Sequence, residues 1–439
     1  MIDAGERYEH AADPPALAGR WTICAMLFVA TTINYMDRQV LSILKPVLTG
    51  SALHLKPLLP GWPTVETTVN LTPQQYGNIL FWFQLAYALG VIFAGRLVDR
   101  LGCRRGYPIV TGLWSMAAMG HALVRTVFGF SVARFLLGLG ESGNFPAAIK
   151  ATAEWFPPKE RALATGIFNS GAGVGAILAP LAVPWVAIHF GWRASFLITG
   201  IFSAIWIVWW SIRYRTPQKA AGVEEADRAM PVSTLAWWKL LRYRQTWGFM
   251  VGKFLTDPVW WFLLFWLPQY FHSRFALDLT HLGLPLAIVY VVSTVGSIYG
   301  GWLPKGYMRL GMELRTARLA AMLTCACIVV PILVAGNLQS VWIAIALVSL
   351  AAAAHQGFSA NIFTTVSDMF PQEHVGTVVS FGQVAGAVGG AIFQPVAGNI
   401  LQLTHSFVPL FLYSAFAYLI ALGLLRLLAP GLKRAALEQ

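Results

Sequence analysis

Charged side chains are scarce in this sequence. Asp, Glu, Lys and Arg make up 11% of the 439 residues, where soluble domains carry roughly 25%. Together with 57% hydrophobic residues and a mean hydropathy of +0.61, that shortage excludes an ordinary soluble chain. Acidic residues are the rarest, 19 against 31 Lys and Arg. The resulting charge of +12 would suggest a nucleic-acid partner in a soluble protein, but the placement of the basic residues argues against one. Cysteine is sparse too. Cys24, Cys103, Cys325 and Cys327 fall in or beside apolar segments, and Cys325 and Cys327, two apart on one helix, point to different sides. This excludes a disulfide framework or a metal ribbon. No nucleophile–base pair or metal-ligand cluster lies at membrane depth, and no soluble output domain is present, which sets aside an enzyme and a signalling receptor. His355 stands alone in its segment, and His121 reads as hydrogen-bonded packing. The first 20 residues lack a cleavable-signal pattern, so the first apolar segment is expected to act as the insertion signal.

What the sequence does have is long apolar runs. Twelve can be separated, beginning near Trp21, Gln74, Tyr107, Phe130, Ala164, Ser195, Trp247, His281, Thr316, Ser340, Gly376 and Phe407, each near the roughly 20 residues that cross a bilayer. The expected fold is an all-α polytopic membrane protein of twelve transmembrane helices in two pseudo-symmetric six-helix halves. If the amino terminus is placed in the cytoplasm, 22 of the 31 basic residues fall in inside segments, 5 outside and 4 within spans. That asymmetry puts both termini inside. One inside loop, with Asp368, Glu373 and His374, carries no Lys or Arg. The expected division is a cytoplasmic tail 1–20, a bundle 21–212, a cytoplasmic linker 213–245, a second bundle 246–428 and a tail 429–439. An outside loop from about Lys45 to Thr72 includes the sequon Asn70-Leu71-Thr72, relevant only in a eukaryotic secretory pathway.

Polar residues inside the spans point to function. Asn34-Tyr35-Met36-Asp37-Arg38 interrupts the first apolar run, and each ionisable group there costs at least about 2.5–3.5 kcal/mol on insertion scales. Helix neighbours point about 100° apart, so Asp37 and Arg38 must each find a partner elsewhere. The second span carries Gln84 and Tyr87. The fourth carries Arg134, Glu141, Asn144 and Pro146; Arg134 and Glu141, seven apart, share a helix face roughly 10 Å apart. In the fifth, Asn169, Gly171, Gly173, Gly175 and Pro180 suit close packing. The seventh opens Lys253-Phe254-Leu255-Thr256-Asp257-Pro258-Val259-Trp260-Trp261. Lys253 and Asp257 can pair on one face, in a structural or a substrate role, and Pro258 is expected to bend or break the helix. His355, Gln356 and Asn361 in the tenth span, and Gln383 among glycines in the eleventh, sit where a cavity wall would run.

The stretch Gly95-Arg96-Leu97-Val98-Asp99-Arg100-Leu101-Gly102-Cys103-Arg104-Arg105 resembles the signature loop of the major facilitator superfamily. In that family the loop is a cytoplasmic latch of the alternating-access cycle, a role the resemblance carries to Gly95, Asp99, Arg100, Gly102 and Arg104. Gly301-Trp302-Leu303-Pro304-Lys305, with Arg309 and Gly311, looks like a degraded copy without the aspartate. Within the superfamily, the Asn34–Gln39 motif, the Lys253–Trp261 motif and Trp155-Phe156-Pro157-Pro158-Lys159-Glu160-Arg161 are similar to the anion:cation symporters, and among them to hexuronate transporters. The likeness covers nearly everything between Trp21 and Arg426; the outside loop is longer than is usual there.

The resemblance implies that Arg38 grips a substrate carboxylate, Tyr35 and Tyr87 hydrogen-bond sugar hydroxyls, Arg134 supports as a second basic residue, and Asp37 and Glu141 carry a coupled proton. Trp260, His355, Asn361 and Gln383 are the expected contacts from the second half. A guanidinium stays charged and offers a planar fork to a carboxylate. Burial and a neighbouring Arg pull a carboxylate's proton affinity in opposite directions, so one that gains and loses an Arg contact can couple the two movements. The expected function is proton-coupled symport of a sugar-acid anion, a hexuronate first, with a uniporter, exchanger or exporter of an aldonate, aldarate or aromatic carboxylate as the alternative. No cofactor, metal or nucleic acid is expected; the partners are substrate, protons and the bilayer, for a monomer in the inner (plasma) membrane.

Overall fold

The computed structural model describes residues 19–48, 70–216 and 237–435, which are helical with short connections. The tail before residue 19, most of the outside loop (49–69) and the middle of the linker (217–236) lie outside the described residues. The helices are α1 (Arg20–Leu48), α2 (Pro73–Gly120), α3 (Val127–Glu141), α4 (Asn144–Trp155), α5 (Pro158–Phe190), α6 (Trp192–Arg213), α7 (Arg244–Phe275), α8 (Gly283–Arg309), α9 (Leu314–Val329), α10 (Val341–Met369), α11 (Gln372–Thr404) and α12 (Val408–Leu428).

Helix α2 is two spans joined at Gly102. Its φ of 71° and ψ of 162° break the helix, in a region an L side chain rarely enters. Before the break, α2 runs alongside α3 and α4 in the same direction. A Cβ on Gly138 would lie 2.4 Å from the Phe83 carbonyl, and Lys150 Nζ donates to the Val98 carbonyl at 3.0 Å. After the break it runs the other way: Gly143 abuts Val110 and Gly140 abuts Trp114. Lys150 also bonds the Asp99 carbonyl and carboxylate, so the carbonyls left open by the turn have a partner. In the second half Gly311, φ 89°, takes the corresponding place after α8.

One span is instead split into two helices. Ser142 and Gly143 form a turn between α3 and α4, because Pro146 has no N–H for the Ser142 carbonyl and its ring crowds that oxygen. With α2 counted twice and α3–α4 once, the described residues form twelve spans, starting close to the twelve positions read from the sequence. Seven helices are apolar enough to cross a bilayer on composition alone, and α2 passes as a bent pair. The spans that fall short include α1, α3–α4 and α7, which carry Arg38, Glu141 and Lys253.

Helix α7 runs through Pro258 and Pro268 without a break, which leaves a bend as the form the expected irregularity at Asp257 can take. Of the carbonyls these prolines release, that of Leu264 takes a hydroxyl donor from the other half, and that of Phe254 is packed against a glycine. Gly389 of α11 lies against the Phe254 carbonyl, 2.3 Å from where its Cβ would be, and Tyr413 Oη donates to the Leu255 carbonyl. Ser42 Oγ, from the other half, donates to the Leu264 and Phe265 carbonyls at 3.1 and 2.8 Å. Tyr76 Oη reaches the Phe265 carbonyl as well.

The halves meet through α1 with α7, α2 with α11 and α5 with α8. At the end opposite the linker the joint is tight. Gly77 abuts the Gln394 carbonyl, Gly398 that of Pro73, and Gly283 that of Pro180, which Pro184 leaves free. Towards the linker end the same four helices carry Gly95, Gly166, Gly301 and Gly376, and a Cβ at any of these would meet nothing within 4 Å. The two halves therefore close at one end and splay at the other.

In a bilayer such joints rest on packing, since lipid is as apolar as the side chains. Within the second half, the backbones of α8 and α10 come into direct contact, and a Cβ on Gly300 would lie 2.0 Å from the Gly357 Cα. Gly300→Ala is expected to lower the unfolding temperature in detergent by several degrees, because overpacking costs about 1–3 kcal/mol. Gly423→Ala, with nothing within 4 Å, should leave it unchanged. Equal melting of the two variants would contradict this packing.

Candidate functional site

A cavity of about 520 Å³ lies between the halves, within the usual range for a small-molecule site. The first half contributes Asn34, Tyr35 and Arg38 from α1, Tyr87 from α2, Glu141, Asn144 and Asn169. The second half contributes Lys253, Asp257, Trp260 and Trp261 from α7, His355 and Gln356 from α10, and Gln383 from α11.

Arg38 is the centre of the first half's wall. Its Nε donates to Glu141 Oε2 at 2.9 Å, Nη2 lies 2.9 Å from the same oxygen in the ion pair, and Nη2 donates to Asn34 Oδ1 at 3.4 Å. Four aromatic rings surround the guanidinium carbon, with centroids at 4.8 Å for Tyr35, 5.0 Å for Tyr87, 5.3 Å for Trp261 and 5.5 Å for Phe83. Trp261 comes from the opposite half, so the ring cage exists only while the halves are together. Such rings attract a cation without competing for its N–H donors. Glu141 ends α3 at the turn before α4, which places its carboxylate at mid-span. Its Oε1 has no hydrogen-bond partner. The pair is thus buried, with one carboxylate oxygen unused and the arginine lying along the cavity.

Other expected residues are placed differently. Asp37 is buried and faces α6, where Ser203 Oγ donates to its Oδ2 at 3.4 Å while Oδ1 has no partner; it lies behind the cavity wall. Arg134 is fully buried and donates to the Arg38 backbone carbonyl at 3.1 Å. Its Nε and Nη2 are without partners, and it positions α1 without facing the cavity. Asn361 does not serve as a cavity contact: its amide donates to the Gly300 and Gly357 carbonyls, pinning the glycine crossing of α8 and α10. The slot that lets these helices touch exposes backbone oxygens, and Asn361 is the donor that satisfies them.

The second half's wall keeps Trp260, His355 and Gln383. The His355 ring stacks on Trp260 at 5.2 Å and 9°, with its Nδ1 2.6 Å from Tyr418 Oη. Lys253 Nζ and Asp257 Oδ1 pair at 2.7 Å. Trp261 and Asn144 are members the sequence reading did not assign. Asn144 accepts from Tyr107 Oη at 2.6 Å and donates to Thr31; Trp261 lies next to a residue that was assigned, in the same motif. The signature-loop residues lie at the linker end, far along α2 from the cavity, with Asp99 held by Lys150 of its own half.

Comparison with known proteins gives a consistent result. The chain is 29% identical over 405 residues to the hexuronate transporter of Escherichia coli (strain K12), covering 89% of this chain and 90% of that one. It is 29% identical over 302 residues to the galacturonate transporter of Dickeya chrysanthemi, covering 66% and 83%. Its fold is similar to the crystal structure of a bacterial homolog of the human lysosomal transporter Spinster in an inward-facing and occupied conformation, with a TM-score of 0.69 at 17% identity over 95% and 97% of the two chains. The profile of the Major Facilitator Superfamily matches residues 27–394, and with twelve spans in two halves around one cavity, the chain belongs to this superfamily and is a multi-pass membrane transporter.

Proposed function

We propose that the protein is a proton-coupled symporter of a sugar-acid anion, with a hexuronate as its substrate. The observation that carries this reading is the Arg38–Glu141 pair in the wall of a cavity between two halves. When Glu141 takes a proton, Arg38 loses its internal anion and its fork is free for a substrate carboxylate. When the substrate leaves, the pair re-forms and the proton departs. Tyr35 and Tyr87 stand beside Arg38 to receive sugar hydroxyls, and Trp260 and Trp261 offer flat surfaces to the ring's C–H groups. Asp37, lacking a cation partner behind the wall, is a second proton carrier in this scheme.

The cycle rocks the bundle 21–212 against the bundle 246–428. The sealed end is then the outside, the splayed end the cytoplasm, and the shape an inward-facing one, with both termini cytoplasmic in the inner membrane and the protein acting as a monomer. Lys and Arg crowd the linker end, as the positive-inside bias requires. Gly95, Asp99, Arg100, Gly102 and Arg104 would latch that end once it closes, and the free glycines of α2, α5, α8 and α11 leave room for it.

The test is the pH of a weakly buffered medium around de-energised cells expressing the protein. Adding glucuronate or galacturonate should alkalinise the medium, while gluconate and phthalate should not. Uptake of labelled uronate with no pH change would replace symport by uniport or exchange. Silence in both assays would remove hexuronates as substrates.

A further inference from the structure

Arg38 accounts for a carboxylate and Tyr35 and Tyr87 for the hydroxyls beside it, which leaves the Lys253–Asp257 pair on the facing wall without a role. We infer that the Lys253–Asp257 pair reads the hydroxyls of the sugar and restricts the carrier to acids with a single carboxylate. The inference rests on the sugar-acid reading and narrows it.

Both side chains line the cavity on the half opposite Arg38, which a pair that merely braced α7 would not require. Lys253 is 6% and Asp257 17% exposed at the side chain, and what exposure they have is turned to the cavity they line. The two are complementary to adjacent hydroxyls. An ammonium only donates, a carboxylate only accepts, and each sugar hydroxyl does both, so neighbouring hydroxyls can bridge a donor and an acceptor held 2.7 Å apart.

The surroundings fix the pair in that position. The Lys253 ammonium lies 4.3 Å from the centre of the Phe363 ring, which holds it without using its N–H donors. Asp257 occupies the space over Gly386, where a Cβ would come within 2.0 Å of Oδ2. Trp260 follows on the same helix, backed by His355, and supplies an apolar wall beside the polar pair. A cation and an anion flanking an apolar ring suits a polyhydroxylated ring better than an aromatic acid.

Charge sets the second part of the inference. The pair is neutral as a unit, so it offers no net attraction to a second carboxylate, which would meet Asp257 at close range. Protonating Glu141 frees one cation and therefore admits one anion. A dicarboxylate would need Lys253 released as well.

The experiment measures binding to the purified wild-type protein of glucuronate, glucarate, which has a second carboxylate, and cyclohexanecarboxylate, which has a ring and one carboxylate but no hydroxyls. Glucuronate should bind about 100-fold more tightly than cyclohexanecarboxylate, as expected when several charge-assisted hydrogen bonds are lost, and at least about 10-fold more tightly than glucarate. In the double variant Lys253→Met, Asp257→Leu, glucuronate should lose at least about tenfold of its advantage over cyclohexanecarboxylate, the remainder resting on Tyr35 and Tyr87, while the binding of cyclohexanecarboxylate itself should not change. Wild-type protein that binds glucarate as tightly as glucuronate overturns the inference. So does a double variant that keeps the wild-type ratio of glucuronate to cyclohexanecarboxylate binding, or one that loses all ligands in parallel as a purely structural pair would. Should the double variant not fold, the wild-type ratio of glucuronate to glucarate binding decides alone. Wild-type protein that binds none of the three defeats the sugar-acid reading itself, a failure distinguishable from the others.

Discussion

Arg38→Ala should lose glucuronate binding altogether, a weakening of at least about 1,000-fold, because the variant removes the one cation that lies free along the cavity once Glu141 is protonated. It should also be less stable. Glu141 would be left buried with only uncharged neighbours at hydrogen-bonding range, and breaking a buried pair costs about 3–5 kcal/mol. The two effects can be separated by Arg38→Met combined with Glu141→Gln, which leaves neither charge behind. That protein should melt close to wild type and still not bind. Arg38→Lys should bind at least about 10-fold more weakly, since an ammonium cannot present two parallel donors. Fluorescence quenching is a direct readout, with Trp261 5.3 Å from the guanidinium. Binding by Arg38→Ala within threefold of wild type would remove Arg38 from the site.

The second large effect concerns coupling. Glu141→Gln keeps an oxygen for Arg38 and removes the titratable group. Exchange of labelled for unlabelled uronate across a vesicle membrane should continue within a few-fold of the wild-type rate, because exchange needs no net proton movement. Accumulation driven by a proton gradient should fall at least about tenfold, to the level of equilibration. Asp37→Asn run alongside shows whether the carboxylate behind the wall shares the task. A Glu141→Gln transporter that still concentrates uronate against its gradient would show that the proton travels elsewhere.

Much of this was legible in the chain. Apolar runs of membrane length gave the spans, and the price of an ionised group in lipid singled out Arg38 and Glu141. Their mutual contact was not legible, because it joins residues 103 apart in sequence and depends on where the turn after Glu141 falls. Asn361 looked like a cavity residue for a sound reason, a polar side chain in an apolar helix. The competing demand was invisible in one dimension: glycines at 300 and 357 bring two backbones together and create oxygens that need a donor. Pro258 was expected to bend or break α7, and the break is absent. The helix stays continuous there, with Gly389 packed against the Phe254 carbonyl that Pro258 releases and Tyr413 donating to the neighbouring Leu255 carbonyl.

The same substitution of partners bears on how readily the molecule changes shape. Pro268 withholds an amide from the Leu264 carbonyl, and the hydroxyl of Ser42 in the opposite half takes its place. Hydroxyl–carbonyl bonds of this sort are worth about 1 kcal/mol each, so the pair made by Ser42 and Tyr76 biases the closed population by roughly 30-fold. Thermal motion overcomes such a bias on the microsecond to millisecond scale of domain movements. Pro268 and the two hydroxyls thus make a clasp of a strength that holds the two halves together at this end and that a small difference in binding energy can tip.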